Sequence, residues 1–296
     1  MILNPNSGNE RGSALADRIE RAISESGPSQ LEVMITDGAE DTVNWSREAA
    51  DLGFEVVSAA GGDGSVTGAA HGILQSETRP AIGIIPLGTG NGLARVLGLP
   101  VEPMAAVKSL SSGKLVDLDV IDVPSHDTSS LLFLGAGLDA EINRDADSRN
   151  KARLGFLAYV QATLNNLSGR RNHQVRMLVD GQERTLQAHT ISVFNATQLN
   201  VLGAELGPDA QPHDGVADLL VMSSPGFWAV MGQVLSVVGR TAGRPRMEQL
   251  RELELTAYPP MLVHVDGDVV GETPVRLSLR PAALKFVAAA AYRIPD

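Results

Sequence analysis

Apolar runs and amphipathic stretches alternate along the first 113 residues of the chain. The apolar runs predict strands, and the stretches between them have the periodicity of helices. The predicted strands are 1–4, 31–36, 54–60 and 81–85. The predicted helices are 12–26, 41–52, 65–75, 91–97 and 103–110. Because strands that alternate with helices form parallel sheets with helical crossovers, we predict a doubly wound α/β domain over residues 1–116.

After Gly113 the pattern changes to one of strands with little helix. The segments that predict strands are 115–123, 131–135, 175–179, 184–188, 190–194, 217–222, 252–257, 261–265 and 275–279. Two helical stretches interrupt them, at 151–167 and 226–238. The pairs Asp180-Gly181 and Asp266-Gly267 are typical of tight hairpins. We therefore predict a β-sandwich domain over residues 117–283, with a last strand near 284–296 that can return to the first domain.

The composition supports a globular chain with two domains, because 43% of the 296 residues are apolar and 20% are charged. A net charge of −11 argues against a general nucleic-acid surface, which requires clustered Lys and Arg. The absence of cysteine excludes disulfides and thiolate chemistry. No apolar run approaches the roughly 20 residues that span a bilayer, and no signal peptide is recognisable. We therefore expect a cytoplasmic protein without a transmembrane segment.

Two glycine-rich loops follow predicted strands of the α/β domain: Gly61-Gly62-Asp63-Gly64-Ser65 and Pro86-Leu87-Gly88-Thr89-Gly90-Asn91. Helix-compatible sequence follows each loop. A turn of small residues before a helix directs backbone N–H groups and the positive end of the helix dipole toward one point, where an anion can bind. Ligands of such sheets bind at the carboxyl ends of the strands. The two loops together therefore predict a nucleotide phosphate site.

Asp63 is the informative residue of the first loop, because a carboxylate among phosphate-binding amides would repel the ligand. It must bind a cation, orient a hydroxyl or accept a proton, unless it is only a helix N-cap or turn residue. Two other nucleotide motifs are excluded. The P-loop pattern GxxxxGK[ST] is absent, and a GxGxxA match at 135–140 has no second parallel strand after it.

Six motifs occur in the order found in the diacylglycerol kinase catalytic-domain superfamily. They are Asn4-Pro5-Asn6-Ser7-Gly8, the two glycine loops, KARLGFLAY at 151–159, the segment 208–215 and the segment 265–274. The chain resembles the bacterial lipid kinases of this superfamily over essentially its full length and, more distantly, sphingosine kinases. The resemblance implies ATP-dependent phosphorylation of a lipid hydroxyl, with the nucleotide in a cleft between an α/β domain and a β-sandwich domain.

The resemblance also implies which residues bind the nucleotide. Thr36 is expected near it, and Thr89 is expected as a further contact. The residues expected around the phosphates are Gly62, Asp63, Gly64, Ser65, Val66, Thr67 and Gly68. Mg²⁺ held near Asp63 would neutralise the charge that develops during transfer. Two acidic residues that the family often has are absent, because Gly68 and Gly92 stand at their positions.

By the same resemblance, Asp268 is expected to activate the lipid hydroxyl as the catalytic base. In the bacterial members this position is the glutamate of an Asp-Gly-Glu hairpin. Aspartate has the same charge but reaches about one methylene less far, and small misplacements are costly in catalysis. A plain hairpin turn is the alternative for this segment. Glu272 and Asp63 are alternative bases.

Asp214 matches the position of a structural Mg²⁺ ligand in the family. The main-chain oxygens of Gln211 and Val216 would complete the ligand set, and oxygen ligands suit Mg²⁺. The alternative is an Asp-Gly turn without an ion. The resemblance favours the metal.

From these observations we predict a Mg²⁺- and ATP-dependent lipid kinase that phosphorylates diacylglycerol or a sphingoid-like lipid at the inner face of the membrane. Two alternatives remain open. An NAD kinase or a phosphofructokinase-like sugar kinase would share the first glycine loop, although the second loop and the distant Asp266-Gly267-Asp268 hairpin argue against both. A catalytically weak nucleotide-binding regulator would fit the aspartate at the base position and the missing acidic residues.

Overall fold

A computed structural model describes residues 1–7, 13–25, 27, 30–137, 173–196, 199–201, 204–206, 210–223 and 247–294. The predicted helices 151–167 and 226–238 lie outside the described residues, as does the motif at 151–159. The chain forms two compact units. The first contains Met1–Asp119 and Pro281–Asp296, and the second contains Val120–Arg280.

Strands and helices alternate in the first unit, as the sequence predicts. The elements in chain order are β1 (Ile2–Leu3), α1 (Ser13–Glu25), β2 (Met34–Ile35), α2 (Ala39–Asp51), β3 (Val56–Gly61), α3 (Asp63–Leu74), β4 (Ala81–Pro86), α4 (Gly92–Val96) and α5 (Pro103–Ser112). The strands β2, β1, β3 and β4 pair in parallel in that order. The predicted α/β fold is therefore confirmed.

The central strands of this sheet are buried on both faces, which explains why their sequences are almost continuously apolar or small. All six residues of β4 are buried, and so are five of the six residues of β3. Helix α3 is rich in small residues and packs closely on α2. A side chain at Gly72 would collide with the carbonyl of Val43. The sheet and this packing hold the start of α3 at the end of β3, where the first glycine loop lies.

The second unit consists mainly of strands. In chain order they are β5 (Lys114–Val123), which begins in the first unit, β6 (Thr128–Ser130), β7 (Phe133–Gly137), β8 (His173–Val179), β9 (Gln182–Ala188), β10 (Thr190–Phe194), β11 (Leu199–Val201), β12 (Ala204–Leu206), β13 (Ala217–Met222), β14 (Glu248–Leu250), β15 (Glu252–Tyr258), β16 (Leu262–Val265), β17 (Asp268–Glu272) and β18 (Val275–Ala288). An antiparallel sheet has the order β14-β13-β10-β7-β16-β17. The strands β18, β15, β8 and β9 are also antiparallel, in that order.

One hydrophobic core joins these two layers of strands. Leu134 and Ile191 come from the six-stranded sheet, Met177 and Leu255 come from the other layer, and all four belong to a single buried cluster. Strand β15 alternates strictly between exposed and buried residues, which is typical of an antiparallel strand with one face on a core. The predicted β-sandwich is confirmed.

Both Asp-Gly pairs form hairpins. The φ angles are 46° at Asp180 and 81° at Gly181 in the turn between β8 and β9. They are 49° at Asp266 and 97° at Gly267 in the turn between β16 and β17. Two consecutive left-handed residues are the requirement of a type I′ turn, and Asp-Gly meets it at little steric cost.

The last strand differs from the prediction. The sequence predicts two strands, 275–279 and one near 284–296, whereas the structure has the single strand β18 with a bend at Ala282, where φ is 47°. Asp119 holds this bend, because its buried carboxylate accepts a hydrogen bond of 2.8 Å from the N–H of Ala282. After the bend, Phe286 pairs in parallel with Ile82 of β4. The C-terminal part of β18 thus belongs to the sheet of the first unit.

A bidentate ion pair on the second unit gives a pH-dependent contribution to stability. Both guanidinium Nη atoms of Arg184 donate to the carboxylate of Glu248 at 2.5 Å, and these hydrogen bonds lower the pKa of Glu248. A carboxylate whose pKa is lower in the folded than in the unfolded protein stabilises the fold at a pH above its unfolded-state pKa. This stabilisation is lost as the pH falls through its folded-state pKa. Because both side chains are about two-fifths exposed, solvent screening keeps the contribution of this ion pair to stability small.

Glu248→Gln should therefore lower the thermal unfolding temperature slightly at pH 7. This effect should shrink below the ordinary glutamate pKa of about 4.3 and vanish once the pH has fallen through the lowered pKa of Glu248. Melting curves of both proteins across this range would measure the difference. An effect that keeps the same size after the pH has fallen through the lowered pKa of Glu248 would show that Arg184 stabilises the fold in some other way than by pairing with the charged carboxylate.

Candidate functional site in the first unit

The first glycine loop connects β3 to α3. Gly61 ends the strand, and Gly62 is the N-cap of α3, with extended φ and ψ of −88° and −173°. The carbonyl of Gly62 accepts hydrogen bonds from Ser65 and Val66 at 3.0 and 3.2 Å, which closes the first helical turn. The first N–H groups of a helix have no partner within the helix and carry its positive dipole end. This helix start lies at the carboxyl end of a parallel strand, the place where such sheets bind ligands.

The side chain of Ser65 explains the glycine at position 61. A Cβ atom at Gly61 would overlap the Oγ of Ser65. The Nδ2 of Asn4 donates to the same Oγ at 3.4 Å, and the Oδ1 of Asn4 accepts from the N–H of Asn6 at 2.9 Å. The start of the Asn-Pro-Asn-Ser motif therefore lies beside the first glycine loop, because β1 and β3 are neighbours in the sheet.

The two glycine loops touch each other through their backbones. The N–H of Leu87 donates to the carbonyl of Gly61 at 2.8 Å. A Cβ atom at Gly88 would lie only 2.6 Å from the Cα of Gly62, a distance that real Cβ contacts do not show. Gly88 thus lacks a side chain because its main chain meets that of Gly62.

The carboxylate of Asp63 lies between the two loops. Its Oδ1 accepts a hydrogen bond of 3.3 Å from the N–H of Leu93 in α4, although Asp63 itself belongs to α3. Its Oδ2 is so close to Gly90 that a Cβ atom there would be 3.0 Å away. One carboxylate oxygen of Asp63 therefore caps α4, the helix that follows the second glycine loop. Asp63 itself is only partly buried.

Asn91 shapes the second loop. It has the left-handed φ of 49°, is 6% exposed, and its Nδ2 donates to the carbonyl of Gly88 at 2.7 Å. The Nε of Arg95 donates to the carbonyl of Gly90 at 3.1 Å and places a positive charge on the same loop. Thr89, at the tip, is exposed. Sequence reasoning missed Arg95, although an arginine one helical turn after a glycine loop is a recognisable signal.

The residues that the resemblance places around the phosphates have different environments in the structure. Gly62, Asp63, Gly64 and Ser65 form the loop and the helix start. Within α3, Val66 is buried in the core at 2% exposure. A Cβ atom at Gly68 would contact the side chain of Thr42 at 3.4 Å, so this residue faces α2. Thr67 follows Val66 in the same helix and is partly buried.

Thr36 follows β2 and is 2% exposed. Both its hydroxyl and its N–H donate to the carbonyl of Leu3, at 3.3 and 2.9 Å. The side chain thus ties the end of β2 to the end of β1, near the other loops at this edge of the sheet. Its hydroxyl is engaged in that contact.

The candidate residues of the second unit lie on or near the β16–β17 hairpin. Asp268 is the first residue of β17, pairs with Val265 and is exposed. Glu272 is the last residue of that strand and is also exposed; its carbonyl contacts the Nε2 of His126 at 3.1 Å. Asp266 instead turns its carboxylate toward the segment before β7, a role that the sequence does not reveal.

The segment around Asp214 is an exposed turn. The Oδ1 of Asp214 accepts a hydrogen bond of 3.1 Å from the N–H of Val216, and Gly215 has a left-handed φ of 76°. The carbonyl of Gly215 accepts from the Nε of Arg251 at 3.2 Å. Gln211 lies three residues before Asp214 and is partly buried. Within the described part of the chain, no three His, Asp or Glu residues cluster as metal ligands.

Two family profiles match successive parts of the chain. The profile described as the diacylglycerol kinase catalytic domain matches residues 1–123. The profile described as the YegS C-terminal NAD kinase beta sandwich-like domain matches residues 133–288, which is more than half of the chain. The chain belongs to the diacylglycerol kinase family of lipid kinases. This membership favours a lipid kinase over the NAD kinase and sugar kinase alternatives.

Relatives of this lipid kinase occur in several bacteria. A diacylglycerol kinase of Bacillus subtilis is 30% identical over 225 residues, which cover 75% of this chain and 72% of that protein. A diacylglycerol kinase of Staphylococcus carnosus is 27% identical over 279 residues, which cover 93% of this chain and 89% of that protein. An uncharacterized protein of Synechocystis is 28% identical over 273 residues, which cover 88% of this chain and 62% of that protein.

Solved structures share the fold of this lipid kinase. A crystal structure of a diacylglycerol kinase from Bacillus anthracis has a TM-score of 0.80 at 24% sequence identity and covers 98% of this chain and 96% of that chain. The likeness supports the α/β domain followed by a β-sandwich domain. Among the residues that the structure describes, no helix is both long and apolar enough to cross a bilayer.

Proposed function

We propose that this lipid kinase transfers the γ-phosphoryl group of ATP to a hydroxyl of diacylglycerol or of a related, sphingoid-like lipid. The observation that carries the proposal is the backbone contact between the two glycine loops, with the carboxylate of Asp63 between them. Backbone amides at a helix start bind phosphate without side chains, and the close approach of Gly88 to Gly62 leaves no space for a side chain at Gly88. Other phosphate-binding folds use the same device.

The residues of the first unit would bind the nucleotide. The N–H groups at the start of α3 are proposed to hold the phosphates, together with the hydroxyls of Ser65 and Thr89. Asp63 fits a Mg²⁺ ion, because its carboxylate is partly exposed and magnesium prefers oxygen ligands. When bound there, Mg²⁺ would neutralise phosphate charge. Thr36 is proposed to support the nucleotide indirectly, since its hydroxyl already donates to Leu3.

Asp268 is proposed as the base that activates the lipid hydroxyl. The hydroxyl oxygen forms a bond to the γ-phosphorus, the bond between that phosphorus and the bridging oxygen breaks, ADP leaves, and the hydroxyl proton passes to the carboxylate of Asp268. The exposure of Asp268 supports this role, because a base must be accessible to its substrate. Glu272 and Asp63 are the alternative bases.

The lipid substrate is proposed from the relatives. Those named diacylglycerol kinase support diacylglycerol, and the resemblance to sphingosine kinases adds sphingoid-like lipids. Such substrates reside in membranes, so the protein would meet them at the inner membrane face as a peripheral, cytoplasmic enzyme. Acyl chains are recognised by generic apolar walls, so product analysis must identify the lipid.

The test is a phosphorylation assay with radiolabelled ATP. Extracted lipids, NAD and fructose 6-phosphate are offered separately, with and without Mg²⁺, and the products are separated by chromatography. We expect label in a lipid phosphate only when Mg²⁺ is present. Label in NADP or in fructose bisphosphate would support the sugar or NAD kinase alternative. ATP binding without transfer to any acceptor would favour the nucleotide-binding regulator.

Asp214 is proposed to bind a structural Mg²⁺ with the main-chain oxygens of Gln211 and Val216. Without ATP, Mg²⁺ at about 100 times its dissociation constant should stabilise the wild-type fold by about 2.7 kcal/mol through mass action. Asp214→Asn should remove this increase in unfolding temperature, and Asp63→Asn should retain it. If the unfolding temperature of the wild type does not respond to Mg²⁺, the segment is an Asp-Gly turn without a bound metal.

A further inference from the structure

Asp266, the first residue of the Asp-Gly-Asp hairpin, gathers four hydrogen-bond donors around its carboxylate. The N–H groups of residues 131–133 donate to it, each at 3.0 Å, and the hydroxyl of Ser130 donates at 2.7 Å. Hydrogen bonds to an ionised carboxylate are about twice as strong as those between neutral groups. The side chain therefore fastens the turn between β16 and β17 to the segment that joins β6 to β7.

The main chain of Asp266 makes the same connection. Its N–H donates to the carbonyl of Phe133 at 2.9 Å, and its φ of 49° directs the chain into the turn. Asp268 follows two residues later and pairs with Val265 across the hairpin. A single residue thus fixes both the place of the turn and its orientation, immediately before the proposed base.

The rest of β17 is less regular than its turn. It is the last strand of its sheet and has β16 as its neighbour there. The pairing register shifts between Val263 and His264, and Gly271 has a φ of 157°. At the far end, the contact of His126 with the carbonyl of Glu272 holds the strand. Because the register shift separates this end from the turn, the contacts of Asp266 are the ones that hold the turn leading into Asp268.

We propose that Asp266 is a positioning residue for the transfer reaction, which sets the place and direction of the Asp268 carboxylate. This inference rests on the proposed function of Asp268 as the base. It assigns a separate task to each residue of the motif. Asp266 fastens the turn, Gly267 adopts the left-handed φ of 97°, and Asp268 is exposed for proton transfer.

The hairpin at Asp180 is a matched control within the same unit. It has the same Asp-Gly pair with similar φ angles, and the Oδ1 of Asp180 accepts hydrogen bonds from the N–H groups of Arg251 and Glu252 at 2.9 and 2.8 Å. No chemistry is proposed for that hairpin. Substitution of Asp180 therefore measures how the loss of such hydrogen bonds changes the stability of the fold, without an expected effect on catalysis.

The experiment compares Asp266→Asn, Ser130→Ala and Asp180→Asn in the full chain. An asparagine at 266 would present an NH₂ group to N–H donors and disturb the turn. We expect Asp266→Asn to lower kcat by about 10²-fold, the cost of a misplacement near 1 Å, with an unchanged KM for ATP. The acidic limb of the pH profile of kcat should also move, because it reports the ionisation of the base. Ser130→Ala should also lower kcat, but by a smaller factor.

Asp180→Asn should lower the unfolding temperature but leave kcat at the wild-type value. Equal losses of kcat in the two aspartate variants, or a wild-type kcat in Asp266→Asn, would overturn the positioning role. If Asp266→Asn does not fold, the kcat and the unfolding temperature of Ser130→Ala are compared with those of Asp180→Asn instead.

Hydrogen exchange separates this inference from the proposed function. Peptides that cover residues 265–272 should exchange faster in Asp266→Asn and in Ser130→Ala than in the wild type. The measurement does not require activity. If the wild type phosphorylates no lipid, the proposed function fails, and the exchange rates still decide whether Asp266 holds the turn. Unchanged exchange in these peptides would overturn the inference by itself.

Discussion

Asp268→Asn should lower the kcat of lipid phosphorylation by about 10²- to 10⁴-fold, the contribution of a general base. Asparagine has nearly the shape of aspartate but cannot accept the hydroxyl proton. Because Asp268 is exposed at the start of β17, the thermal unfolding temperature should not change. The KM for ATP should also stay at the wild-type value, since the glycine loops belong to the first unit. Steady-state kinetics with ATP and a dispersed lipid would measure both parameters.

Two acidic variants serve as controls for this prediction. Asp268→Glu restores the residue of the bacterial relatives and should retain activity. Glu272→Gln removes another exposed carboxylate from the same strand and should also remain active. If Asp268→Asn is fully active while Glu272→Gln or Asp63→Asn is inactive, the base is the residue whose substitution abolishes transfer.

Gly88→Ala should remove measurable ATP binding and lower the free energy of unfolding by about 1–3 kcal/mol, the range for overpacking. The added Cβ would lie 2.6 Å from the Cα of Gly62, so the two loops would have to separate. The obstacle is backbone and cannot rotate away as a side chain can. Calorimetric titration with ATP and thermal unfolding would measure the two effects.

Gly62→Ala is the matched control for this contact. Its Cβ would lie 3.5 Å from the Cα of Gly88, which is an ordinary van der Waals distance, and its φ of −88° suits alanine. This variant should unfold at nearly the wild-type temperature. A Gly88→Ala protein that is as stable as Gly62→Ala would contradict the close contact between the loops.

Elements with strong local signals could be predicted from the sequence. Strands β10 and β13 have the predicted bounds, and the glycine loops lie at the ends of β3 and β4 as expected. In each case a run of apolar or small residues ends at a residue that favours a turn. The Asp-Gly hairpins belong to the same class, because a type I′ turn needs only its own two residues.

Features that depend on distant contacts could not be predicted. Asp180 and Asp266 both stand in a Val-Asp-Gly sequence, yet the donors that surround Asp266 lie more than 130 positions earlier in the chain. Strand β17 lacks a clear alternation because of its register shift and Gly271. The resemblance places Thr36 near the nucleotide, but only the structure shows that its hydroxyl donates to Leu3.

The bend of β18 at Ala282 has a consequence for how the protein is made. The catalytic-domain profile ends at residue 123, yet the parallel sheet that carries both glycine loops also contains Phe286, which is fully buried and pairs with Ile82. A ribosome must therefore deliver residue 286 before this sheet is complete, whereas Val120–Arg280 is contiguous and can finish earlier. A stop codon after Arg280 would remove the C-terminal part of β18 from the sheet that carries the glycine loops, and with it the buried side chain of Phe286.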